Sequence, residues 1–200
     1  MAHALPAGGH LETNTGLDNR KLLMWLFLGS DCLFFGSLIA AYLLYRDRSV
    51  VGPYPSELYD IPFTSVSSFV LLMSSFSMVL ALSSLQRGNV RNMRIWLSCT
   101  ALLGVLFLGG QAFEFTEFYR EGLTLRQNLF GTTFFVLTGF HGAHVSVGVL
   151  ILLSIVASSF RGRVSPDDPL PVEIAGLYWH FVDIVWIIIF TLIYLVEPTS

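Results

Sequence analysis

The chain has 200 residues, of which 54% are apolar and only 12% charged, with a mean hydropathy of +0.66. A water-soluble domain carries about twice that share of charge, so the composition excludes one and indicates a membrane protein. The formal charge of −3 says little about partners, because the distribution of Lys and Arg between loops matters more than their total, and no basic patch points to nucleic acid.

Residues 1–21 read as a polar cytoplasmic tail. They lack the cationic start, apolar run and small-residue cleavage site of a signal peptide, and His3 and His10 in this tail are assigned no role. Residues 22–200 follow as one membrane domain. A spanning helix needs roughly 20 mostly apolar residues, and five segments qualify: 22–45, 63–85, 95–117, 129–160 and 174–196. The fold class is therefore all-α, a polytopic membrane protein. The first connector carries Pro53, Pro55 and Pro62, and the last Pro166, Pro169 and Pro171, breakers expected of loops. With the N-terminus inside, Arg20, Lys21, Arg87, Arg91, Arg94, Arg161 and Arg163 lie on the cytoplasmic side, against Arg46, Arg48, Arg120 and Arg126 on the other. That excess supports a cytoplasmic N-terminus and a periplasmic C-terminus. No internal repeat of the transporter kind is present.

Helix association in lipid relies on close approach of small residues. Serines crowd the second segment, Ser74 and Ser75 among them, and glycines recur in the others, for example Gly104, Gly110, Gly142 and Gly148; these read as contact faces. Cys32 and Cys99, with no CxxC or Cys/His spacing, read as small packing residues.

Six ionisable residues stand inside the spans: Asp31, Glu114, His141, His144, His180 and Asp183. Each costs a few kcal/mol if charged and unpaired, so each needs a partner or a neutral state. Glu114, near the outer interface, is expected to snorkel. At ~1.5 Å rise per residue, Asp31 and Asp183 fall about 14 Å from the cytoplasmic edge, and His141 and His144 about 17 and 21 Å from the outer one. Two layers are expected, Asp31 with His141 and Asp183, then His144 with His180. Because 141/144 and 180/183 are i, i+3 pairs on one helix face, these faces should point inward as a polar network. Three roles are open to it: mutual satisfaction that fixes helix register, handling of protons or lipid headgroups, and a metal or haem site at His141, His144 and His180.

The stretch from Thr132 to Val145, with Gly139-Phe140-His141-Gly142-Ala143-His144 at its centre, resembles the signature helix of subunit III of the haem–copper respiratory oxidases. Tyr178-Trp179-His180-Phe181-Val182-Asp183-Ile184-Val185-Trp186 is similar to that family's terminal motif, and Gln111-Ala112-Phe113-Glu114-Phe115 to a third segment of it. The resemblance runs from Leu22 onward and fits the short five-helix bacterial form, with Asp31 where mitochondrial members carry a glutamate one methylene longer.

The resemblance implies an accessory subunit in the bacterial cell membrane that performs no redox step. It would stabilise the catalytic subunit, support proton uptake and hold phospholipid in a cleft. Asp31, His141, His144, His180 and Asp183 would lie near that cleft, and Arg87, Arg91 and Arg94 at anionic headgroups. It implies no cofactor in this chain, with haem and copper in the partner subunits I and II, and cytochrome c or quinol as donor to the complex. A partner of a nitric oxide reductase and an independent proton-coupled transporter are the alternatives.

Overall fold

The computed structural model describes residues 18–46, 61–120, 122 and 129–196. Pro53, Pro55, His3, His10, Arg48 and Arg126 lie outside them. Five helices are each long and apolar enough to cross a membrane: α1 (Asn19–Tyr45), α2 (Ile61–Gln86), α3 (Val90–Arg120), α4 (Leu129–Phe160) and α5 (Leu170–Phe190). A π-helical turn, Thr191–Leu195, prolongs α5. Among the described residues there is no strand.

Four of the five helices start earlier than hydropathy suggests, and in two of them a side-chain cap sets the first turn. Asp18 accepts the Arg20 backbone N–H at 2.8 Å and opens α1, as N-cap carboxylates do. Asn89 accepts the Asn92 N–H at 3.0 Å and opens α3. Pro62 and Pro171, expected in connectors, sit instead in the first turns of α2 and α5, where a missing N–H costs no helical bond. Between α2 and α3 the turn is very short. Gly88 takes φ +79° and the Asn89 N–H returns to the Ser84 carbonyl at 2.9 Å, a C-terminal closure that favours glycine.

The helix α5 is the hub. It packs on α1, α2 and α4, while α3 fills the space between α2 and α4. Half of the most apolar window of α5 is buried, against 17% for α1, so α1 is the peripheral element. Trp179 is the largest fully buried side chain and joins three helices to α5. Its indole lies where a Cβ on Gly104 would come within 2.6 Å and one on Gly148 within 2.8 Å, and its N–H donates to Ser74 Oγ at 2.9 Å. Small residues on α3 and α4 thus admit the ring, consistent with close approach as the driving force of helix packing in lipid.

α1 is held by polar ties. At one end Lys21 pairs with Glu173 of α5 at 2.5 Å. At the other, the Arg46 guanidinium donates to the Leu192 and Val196 carbonyls at 3.3 and 3.4 Å, the negative end of a helix dipole.

Candidate functional site

The six ionisable residues within the spans fall into four local groups. The first joins α1 to α4. His144 Nε2 stands 3.2 Å from Asp31 Oδ2, and His144 Nδ1 is 2.7 Å from the Phe140 carbonyl. A carbonyl only accepts, so Nδ1 carries a hydrogen. The Nε2–Oδ2 approach is an ion-pair distance, and Asp31 Oδ2 has no hydrogen-bond partner among the described residues. Phe35 closes over the imidazole edge-on, ring centroids 5.0 Å apart.

Beside this pair, a cavity of about 530 Å³ opens between α1 and α4. Met24 and Phe27 of α1, Phe140, His144 and Ile151 of α4, and Tyr178 of α5 line it. A smaller hollow of about 270 Å³ continues along α4 past Phe135 and Gly139. The lining is almost wholly apolar apart from His144, which suits an acyl chain or another lipid-soluble group.

The second group joins α2 to α5. Ser75 Oγ is 2.7 Å from His180 Nδ1 and donates to Asp183 Oδ2. The serine, singled out in sequence only as packing, is the bridge that makes His180 and Asp183 one unit. In the third group, His141 is fully buried and its Nε2 meets the Val182 carbonyl at 3.3 Å. Its ring lies against Trp186 at 4.8 Å and edge-on to Phe107 at 5.7 Å.

The fourth group corrects an expectation. Glu114 does not snorkel: it is 7% exposed, and its Oε1 accepts from Thr64 Oγ1 at 2.7 Å and from Tyr194 at 2.9 Å. Donors on α2 and on the π-helical turn reach it, so the carboxylate is satisfied inside the bundle and has no need of the interface.

The two-layer arrangement is also replaced. Asp31 pairs with His144 of the other expected layer and not with His141, while His180 and Asp183 share Ser75 across the layers. Depth counted from rise per residue assumes helices along the membrane normal, and a one-turn offset between tilted helices is enough to exchange the partners. The three span imidazoles take different partners, and among the described residues no group of three or more His, Cys, Asp or Glu could hold a metal ion.

The arginines divide. Arg87 and Arg91 are exposed, whereas Arg94 donates to Ser159 Oγ at 2.8 Å and to the Ser159 carbonyl at 2.6 Å, and its guanidinium lies 4.4 Å above the Phe160 ring. It caps the C-terminal turn of α4 and is not free for a headgroup, unlike the expectation that grouped the three.

The geometry fits comparison with known proteins. A model of the family "Cytochrome c oxidase subunit III" matches residues 7–197. The chain belongs to that family. It is 34% identical to the cytochrome c oxidase subunit 3 of Bacillus sp. (strain PS3), with 97% of this chain and 94% of the relative covered. It is 36% identical to the quinol oxidase subunit 3 of Bacillus spizizenii, covering 92% and 90%, and 39% identical to the cytochrome c oxidase subunit 3 of Thermostichus vulcanus, covering 89% and 88%. This oxidase subunit III is thus a membrane protein and one component of a multi-subunit haem–copper oxidase.

Two features of the subunit III fold escaped sequence reasoning. Gln111 donates to the Thr138 carbonyl at 2.7 Å and occupies the space a Cβ on Gly142 would need, 2.6 Å away. Tyr178 donates to the His144 carbonyl at 2.9 Å, fixing the turn of α4 that presents the imidazole to Asp31. Neither partner is a side chain, so no residue pattern announces the contact.

Proposed function

We propose that this chain is the accessory, non-redox subunit of a bacterial haem–copper terminal oxidase in the plasma membrane, oriented with its N-terminus cytoplasmic. It carries no haem or copper of its own; those belong to subunits I and II, which accept electrons from cytochrome c or quinol. Its work is to stabilise the catalytic subunit, to support proton uptake and to hold phospholipid. The observation that carries this reading is His144, paired with Asp31, in the wall of an apolar cavity that opens between α1 and α4. A cavity of that lining takes acyl chains, and the imidazole and carboxyl at its back are the two kinds of group that pass a proton on near neutral pH or when buried.

The test compares the purified oxidase with and without this subunit, and with Asp31→Asn. Removal should leave oxygen reduction measurable but shorten the enzyme's active lifetime under turnover and slow proton uptake, with loss of co-purified phospholipid. Asp31→Asn should assemble normally and slow proton uptake alone. Unchanged lifetime, proton uptake and lipid content in the depleted enzyme would overturn the reading.

A further inference from the structure

The second polar group, between α2 and α5, is not accounted for by the cavity on the other side of the bundle. Ser75 has one hydroxyl hydrogen and directs it at Asp183, so its oxygen accepts from His180 Nδ1. The assignment follows from the hydrogen-bond network. In the neutral imidazole the remaining nitrogen, Nε2, is then a bare acceptor. If the Asp183 carboxyl holds a proton, the order runs the other way and Nε2–H becomes a donor. In both arrangements Nε2 has no hydrogen-bond partner among the described residues.

Its position makes that notable. His180 lies about 15 Å along α5 from Leu170, inside the span, and the lipid tails that surround a span offer no hydrogen bond. His180 is only partly buried, and it stands on the outward face of α5 with Ile184, Ile187 and Ile188, which are 56%, 43% and 44% exposed. α1 and α2 pack on α5 but leave this face uncovered.

We infer that this face of α5 is the docking surface for a transmembrane helix of another oxidase subunit, and that the helix brings a hydroxyl or amide side chain to His180 Nε2. A hydroxyl or an amide both donates and accepts, so it satisfies Nε2 whichever way the Ser75 hydrogen points. A lipid tail covers the isoleucines equally well but leaves the imidazole unsatisfied, which is why the occupant is a protein segment. Interhelical bonds of this kind act as polar glue within the membrane. The inference rests on the reading of the chain as an oxidase subunit and adds the face through which it assembles.

The experiment places a photoreactive amino acid at Ile184 or Ile188, and for comparison at Leu102 of α3, in the complete oxidase in native membranes. Illumination should join positions 184 and 188 to another membrane subunit, at a helix whose mapped segment carries a hydroxyl or amide residue. In parallel, His180→Leu should lower retention of the subunit through detergent purification at least tenfold, whereas His180→Gln should keep it. The inference is overturned if 184 and 188 yield lipid adducts alone while position 102 joins a subunit, or if His180→Leu is retained like the parent. Should His180→Leu fail to accumulate, the crosslinks decide. Failure of the chain to purify with an oxidase at all would instead overturn the reading of its function.

Discussion

Trp179 sits in a slot with two glycine walls, and the walls should not tolerate a methyl group. A Cβ at position 148 would lie 2.8 Å from Cζ3 and 2.9 Å from Cε3 of the indole, and 3.2 Å from Tyr178 Cε1. The ring cannot withdraw, because on its other side a Cβ at Gly104 would already be within 2.6 Å and its N–H is tied to Ser74. Gly148→Ala therefore forces α4 away from α5 or turns the ring off its hydrogen bond. Overpacking of this kind costs about 1–3 kcal/mol and the lost bond about 1 kcal/mol, against a gain of about 1 kcal/mol for alanine over glycine in a helix. Where the ring gives up its bond the net loss is about 1–3 kcal/mol. Gly139, nine residues earlier in the same helix, has nothing within 4 Å of its would-be Cβ, so Gly139→Ala keeps only the gain. Unfolding midpoints in SDS for the detergent-solubilised protein should move in opposite directions for the two variants. Equal midpoints would refute the slot.

Glu114→Leu removes the acceptor that Thr64 and Tyr194 share, and should cost about 2–4 kcal/mol, with Glu114→Gln recovering most of it because the amide oxygen still accepts; the same SDS titration reads both. Arg94→Ala should destabilise by about 1–2 kcal/mol, since it frees the last turn of α4 from two hydrogen bonds and a cation–π contact, while Arg91→Ala, at an exposed position, should stay within about 0.5 kcal/mol in thermal unfolding.

The five spans and their order were legible because lipid imposes a length and an apolarity that few other environments demand. The presence of buried acids and histidines was legible for the same reason, as exceptions. Their partners were not. The pairing of Asp31 with His144 depends on how far α4 is shifted and tilted against α1, and a sequence records neither. Ser75 could be seen only as one serine among many until α2 and α5 were brought together. His141 rests against a backbone carbonyl, which every residue possesses and none advertises. Glu114 was misjudged because its position near a helix end was weighed without Tyr194, which the π-helical turn at 191–195 directs back into the bundle.

The ties of α1 also bear on the order in which the protein can be completed. Lys21 meets Glu173, Arg46 meets Leu192 and Val196, and Asp31 meets His144, so α1 is tied by polar contacts to α4, to α5 and to the segment that follows α5, far along the chain. The short Gly88 turn lets α2 and α3 close on each other early, whereas α1 packs on α4 and α5 and its carboxyl meets His144 of α4. Closure around α1 therefore waits for α4 and α5, since without α4 the Asp31 carboxyl would stand in lipid without His144.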